Sequence, residues 1–162
     1  MNKRNRKGPR RDDGIKKKRK AGFTRLAAAS PSRHALFLHL SRVLTAHELD
    51  EGLAKLYLER TRQVAGTQVD DLLDRFKSLL SAGRDPIRAV REDIMPDQVL
   101  GPVAQTILLL WYIGGIQAPG GGDWQMQSAD QYYRALVWET IGAHPPTLSN
   151  GYFGHWKYPP EM

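Results

Sequence analysis

The chain has 162 residues, no cysteine and a formal net charge of +7. That length suits one domain with a tail better than two domains. The missing cysteine excludes disulfides, thiolate nucleophiles and Cys-based zinc sites, and it leaves the compartment open.

The excess charge is local. Residues 1–20, MNKRNRKGPRRDDGIKKKRK, hold 11 Lys and Arg against two Asp, whereas the rest of the chain holds 13 basic against 15 acidic residues. A basic run with almost no apolar residue buries too little surface to offset the entropy of ordering it, so residues 1–22 read as a disordered tail or a degenerate signal region. The tail admits three uses: contact with a polyanion such as nucleic acid or anionic lipid, the n-region of an export signal with the pair Arg10-Arg11, or simple solubilisation (a misassigned start included). A signal continues into an apolar region of about 7–15 residues. Here AGFTRLAAAS follows, which is short and interrupted by Arg25. Residues 23–162 read as a single helical domain.

The periodic segments that follow predict helices. Ser32 caps a helix through RHALFLHLSRVLT, with Leu36, Phe37, Leu40, Val43 and Leu44 on one face. Thr45 and Glu48 have the spacing of a capping box, which predicts a second helix over 46–64 stopped by Gly66. In TQVDDLLDRFKSLLSAG, Val69, Leu72, Leu73, Phe76, Leu79 and Leu80 follow the i, i+3, i+4, i+7 rule, and Gly83 stands at the left-handed position beyond the end. Asp70, Asp71 and Asp74 read as a solvated face. Asp85-Pro86 starts a short helical piece. A further helix is expected over 97–115, ended by Gly114-Gly115. PGGGD at 119–123 is a loop with neither the strand nor the Lys-Ser/Thr of a phosphate loop. A last helix is expected over 127–142, with Ala129, Tyr132, Tyr133, Leu136, Val137 and Ile141 as its apolar stripe. After it the chain turns extended and aromatic (YFGHWKYPP). The expected fold is all-α, a small helical domain of about four to five helices with an irregular, aromatic- and Pro-rich C-terminal arm and no strand.

The most apolar stretch, AQTILLLWYIGGI at 104–116, has three readings: a membrane span, a central core helix or a partner-facing surface. Gln105 and Thr106 interrupt it, Pro102 and Gly101 lie just before it, and the uninterrupted run is short for a span. A helix apolar on all sides and too short to span packs centrally. No catalytic constellation accompanies it. His34 and His39 miss the i, i+4 spacing of paired ligands, and HELDE at 47–51 lacks the second His of a zincin helix. There is no nucleophile elbow.

The order of features in the second half carries a resemblance. A core helix ends in Trp111, Tyr112 and Gly114, a Tyr-rich helix with Tyr132, Tyr133, Ala135 and Leu136 follows, and Gly154, Trp156 and Pro159 close the chain. With the Leu-Ser-x-x-Leu-Thr element at 40–45, this resembles the small subunit of bacterial membrane-bound FAD-dependent sugar and polyol dehydrogenases, of the sorbitol, fructose and glucose type. The resemblance covers residues 36–160, loosely between 60 and 95, and departs from the family pattern at the N-terminus and in PGGGDWQMQSA. It implies a non-catalytic accessory subunit that holds no cofactor, catalytic residue or metal of its own. FAD and the catalytic base then belong to a large flavoprotein subunit of the glucose–methanol–choline type. Electrons pass on to a multihaem cytochrome c subunit, the complex works on the periplasmic side of the inner membrane, and no nucleic acid is involved. The rival reading from the residues alone is a helical polyanion-binding protein acting through its tail. Aromatic side chains anchor protein interfaces, so Trp111, Tyr112, Tyr132, Tyr133, Tyr152, Phe153 and Trp156 are the expected contacts with the partner. Trp111 and Tyr133 are equally compatible with a plain core role.

Overall fold

Ser32 opens the first helix: its hydroxyl accepts the Ala35 N–H at 3.1 Å, and α1 runs over Arg33–Thr45. The structure, a computed structural model, describes residues 31–145. Leu36, Phe37, Leu38 and Leu40 form the buried side of α1. The helix stops at Ala46, which takes the left-handed conformation with φ +57°.

The expected Thr45–Glu48 capping box does not form. Thr45 is the last residue of α1, and its hydroxyl donates to Ser41 O at 2.9 Å. Asp50 caps the second helix instead, its carboxylate accepting the Leu53 N–H at 2.6 Å, so α2 covers Glu51–Ala65 and not 46–64. A carboxylate at this position satisfies an orphan amide and also complements the helix dipole. Gly66 ends α2, as its sequence position predicts.

Helix α3 (Gln68–Ser81) buries Val69, Leu72, Leu73 and Phe76 and leaves Leu79 and Leu80 at the margin. Beyond it Gly83, at φ +78°, lets Arg84 N–H reach Leu79 O and Gly83 N–H reach Leu80 O, a Schellman closure. Asp70 and Asp74 are more than a solvated face. Arg33 of α1 forks onto Asp74 with bonds of 2.7 and 2.9 Å, and Arg62 of α2 reaches Asp70 at 3.0 Å. These ion pairs tie three helices together on their outer side.

Asp85 caps the short α4 (Pro86–Arg88), with Pro86 in the first turn, and the backbone then widens into a π-helical segment, Ala89–Ile94. The next helix, α5, covers Leu100–Ile113 rather than 97–115. Asp97 lies outside it as a capping group: one carboxylate oxygen accepts both Val99 N–H and Leu100 N–H at 2.8 Å.

Helix α5 is the centre of the fold, packed against α1, α2, α3 and the π-helical segment. Val103, Ala104, Ile107 and Leu110 are fully buried against Phe37, Leu40, Tyr57, Leu72 and Phe76. Each such side chain contributes roughly 1.5–3 kcal/mol of transfer free energy. Thr106, the polar residue within the apolar run, is buried but satisfied, its hydroxyl donating to Gln117 O at 3.0 Å. No helix among the described residues is long and apolar enough to cross a membrane.

Two expectations fail past Gly114. A two-residue antiparallel pair forms where no strand is predicted: β1 (Gly115–Ile116) faces β2 (Gln125–Met126), with Gly115 opposite Met126 and Ile116 opposite Gln125. The predicted helix over 127–142 is also broken, into α6 (Ala129–Tyr133) and α7 (Leu136–Thr140), with Ala135 extended between them. Tyr132 O accepts the Trp138 indole N–H at 2.7 Å and the Ala135 N–H at 3.2 Å, so it is taken out of a continuous ladder. The break re-aims the stripe. Gln131, Ala135 and Leu136 face inward, whereas Ile141 is 61% exposed.

Candidate partner interface

The segment WYIGG at 111–115 organises one pole of the molecule. Trp111 is 3% exposed and stands edge-on to Tyr57, with ring centroids 4.6 Å apart and planes at 71°. Tyr112 is half-buried at the end of α5. Its hydroxyl donates to Thr45 O at 3.2 Å, and its ring meets His47 in a T-shaped contact. It thereby fixes the end of α5 to the end of α1.

Gly114 caps α5 at φ +70°, and a Cβ there would lie 2.8 Å from both Gln131 O and Tyr132 Cα. The backbone of α6 therefore rests directly on this glycine. Gly115 is open for a different reason. A Cβ on it would lie 2.6 Å from Cε2 and 2.9 Å from Nε1 of Trp124, so the indole covers a position that must have no side chain.

Tyr132, Tyr133 and Trp138 gather on the α6–α7 side. Tyr132 is 5.1 Å from Trp138 in a T-shaped contact and 6.0 Å from Tyr133 in a tilted one. All three are partly exposed. Of the expected aromatic contacts, the structure thus brings Tyr112, Tyr132 and Tyr133 to the surface near the end of α5 and holds Trp111 inside. Tyr152, Phe153 and Trp156 lie outside the described residues.

Sequence reasoning missed Trp138, Trp124 and Met126. Trp124 is 40% and Met126 48% exposed, and the Trp124 indole N–H donates to Met126 Sδ at 3.0 Å. Neither residue falls in a helical or alternating period of the sequence. Their only signal in the sequence is a large apolar pair directly after a glycine-rich loop.

Charge distribution separates this pole from the rest. Between Val99 and Pro145 the charged residues are Asp123, Asp130, Arg134 and Glu139, whereas 31–98 contains twenty-one. Part of the difference is the burial of α5. The remainder is surface, since residues 120–126 are exposed yet carry Asp123 alone. Exposed surface that is poor in charge and rich in aromatics matches the core of protein interfaces.

Chemistry-bearing groups do not converge here. His34 Nε2 lies 3.0 Å from Glu51 O, His39 packs edge-on to Phe76, and His47 Nδ1 lies 2.6 Å from Thr45 O. Among the described residues no group of three or more His, Asp or Glu could hold a metal ion. The Tyr57 phenol is pushed up to about 12, first by burial and then by the charge of Asp130, which makes it a poor proton donor or base near neutral pH.

A Rossmann-type site holds the pyrophosphate of a flavin dinucleotide with a strand, a glycine-rich turn and a helix N-terminus. The glycine-rich loop here joins two strands of two residues each. The next helix, α6, is five residues long and closed by its own Ser128–Gln131 capping box. Among the described residues no such cradle is formed.

A family model described as membrane bound FAD containing D-sorbitol dehydrogenase matches residues 15–160. No individual curated protein matches the chain.

Proposed function

The chain belongs to the family of membrane-bound, FAD-containing D-sorbitol dehydrogenase, and on that premise we propose that it is the non-catalytic accessory subunit of such a complex. In this reading it binds and stabilises a separate FAD-bearing subunit of the glucose–methanol–choline type and assists its export. That subunit oxidises the sugar or polyol and passes electrons to a multihaem cytochrome c subunit on the periplasmic side of the membrane.

The observation that carries this reading is the charge-poor aromatic pole at the end of α5. Among the described residues it offers packing surface and no convergent acid, base or cofactor cradle. Tyr112, Tyr132 and Tyr133 are its proposed contacts, together with Tyr152, Phe153 and Trp156 of the C-terminal segment. Trp111 supports them from below through α5.

Co-expression with an FAD-bearing catalytic subunit of this dehydrogenase type tests the proposal. The two chains are expected to co-purify with flavin absorbance, and this chain alone is expected to carry none and to oxidise no sugar. Stoichiometric FAD on the isolated chain, or failure of the two chains to associate, overturns it. Tight binding of nucleic acid that is lost when residues 1–20 are removed, and that falls steeply with salt, would support the polyanion-binding reading.

A further inference from the structure

We propose that residues 128–143, the α6–α7 pair, form a flap that opens as one unit while α1–α5 stay folded, and that opening bares Tyr57 and Trp111. The closed and open forms are two states of the isolated chain. The way the flap is held is the first support. Its hydrogen bonds close inside it: the Ser128–Gln131 capping box, Arg134 to Asp130, the Thr140 hydroxyl to Leu136 O, the Trp138 indole to Tyr132 O, and the Ala143 N–H to Trp138 O. Attachment to the body therefore leans on apolar packing, and that packing is thin. Gln131, Ala135 and Leu136 are its buried side chains, with Leu136 the largest apolar one, whereas α5 buries Val103, Ile107, Leu110 and Trp111. Both helices have five residues, well below the roughly 12–15 at which a helix holds itself together in water. Segments with little buried apolar contact are the ones that open locally.

What lies beneath the flap is the second support. The α6 backbone rests on Gly114, and Trp111 stands one turn earlier on the same side of α5. Trp111 meets Tyr57 edge-on. The charges of Asp130 and Arg134 in α6 act on the Tyr57 phenol, which sets its hydroxyl toward the flap. Among the described residues the Tyr57 hydroxyl and Trp111 Nε1 are buried without a hydrogen-bond partner. Opening returns both groups to water and so offsets part of the packing that is lost.

Unity of the flap is the third support. Ala135 is extended between the two helices, yet α7 is tied back to α6 across it. The Trp138 indole N–H donates to Tyr132 O at 2.7 Å, and the two rings stand 5.1 Å apart in a T-shaped contact. A cross-tied segment leaves as a body, where an untied one unravels residue by residue. The hinge falls after Gln127, whose N–H still donates to Gly114 O at 3.2 Å. Opening thus carries Tyr132 and Tyr133 away from the end of α5.

Native-state hydrogen exchange of the full wild-type chain, followed by NMR at rising but sub-denaturing urea, tests the proposal. The hydrogen-bonded amides of Tyr132, Arg134, Trp138, Ile141 and Ala143 report on the flap. They are expected to share one opening constant, at least about a hundredfold larger than that of the α5 amides. Its urea dependence is expected to be shallow, because little surface is exposed when α1–α5 stay folded. The Trp111 indole N–H is expected to exchange with the flap and not with the α5 backbone. Flap amides that share the opening constant and urea slope of α5 make the domain one cooperative unit and overturn the proposal. Protection that decays steadily from Tyr132 to Ala143 is end-fraying and overturns it too. A Trp111 indole that exchanges as slowly as the α5 amides, while the flap amides exchange fast, shows that opening does not bare the pair and likewise overturns it.

Discussion

The indole of Trp111 meets the ring of Tyr57 edge-on at 4.6 Å, in the interior where α2 and α5 cross. The geometry suits the opposed charges of ring edge and ring face. The polar handles are less well served: among the described residues neither the Tyr57 hydroxyl nor Trp111 Nε1 has a hydrogen-bond partner. A buried polar group left unpaired costs roughly 1–3 kcal/mol.

Tyr57→Phe keeps the ring contact and removes the orphan hydroxyl. It is expected to be neutral or to stabilise by up to about 1 kcal/mol near pH 7. It also changes the alkaline limb. Because the folded phenol titrates at about 12 and an unfolded one near 10, Tyr57 makes stability independent of pH below roughly pH 10 and lowers it progressively as pH rises toward 12. Thermal melts between neutral and alkaline pH should show the variant unfolding at higher pH than the wild type. An identical alkaline limb in both would mean that Tyr57 is solvated in the native state.

Ala46 closes α1 in the left-handed conformation, at a cost of about 1–2 kcal/mol for a residue with a Cβ. Glycine removes that strain but adds unfolded-state entropy. Ala46→Gly is therefore expected to stabilise by about 0.5–1 kcal/mol, or a few degrees in Tm. A drop in Tm would show that the side chain of this exposed residue contributes more than its backbone strain removes.

Helices α1 and α3 were legible because their signals agree. Ser32, the apolar spacing of Val69, Leu72, Leu73 and Phe76, and Gly83 each point to the same boundaries. The break in the last helix was not legible. Tyr132, Tyr133, Leu136 and Val137 satisfy a 3.6-residue period straight through it, and the break depends on a tertiary choice, the Trp138 indole bonding Tyr132 O while Gly114 receives the α6 backbone. Which aromatics are exposed was not legible in the sequence. Residue type picks out aromatics, but burial depends on three dimensions, which put Trp111 inside and leave Trp124 and Met126 outside. The hairpin escaped notice because strands of two residues show no alternation to read.

Two carboxylates make stability acid-sensitive. The Arg33 guanidinium hydrogen-bonded to Asp74 holds its carboxyl below the ordinary range, and the Leu100 and Val99 amides do the same for Asp97. A lowered native value means that each contribution is fully present above roughly pH 4 and is lost as pH falls through the lowered value. Asp97→Asn retains a hydrogen-bond acceptor at the start of α5 while removing the titration. Its circular-dichroism melts should decline less than the wild type's between about pH 4 and pH 2. Superimposable acid limbs would show that Asp97 is uncoupled from folding.

Adjacent glycines at 114 and 115 give the sharpest contrast between a position closed by backbone and one closed by a side chain. At Gly114 a methyl group meets backbone, Gln131 O and Tyr132 Cα, at a residue already in the left-handed region. Backbone cannot yield without moving α6, so Gly114→Ala is expected to cost about 2 kcal/mol or more. At Gly115 the same methyl group meets only the Trp124 side chain, which is 40% exposed. Gly115→Ala is expected to lower stability by about 1 kcal/mol or less while displacing the indole from its platform. The Trp124 indole N–H resonance should then move, since its Met126 partner is lost. A Gly115→Ala chain that melts as low as Gly114→Ala would show that the Trp124 indole cannot yield and is a structural side chain.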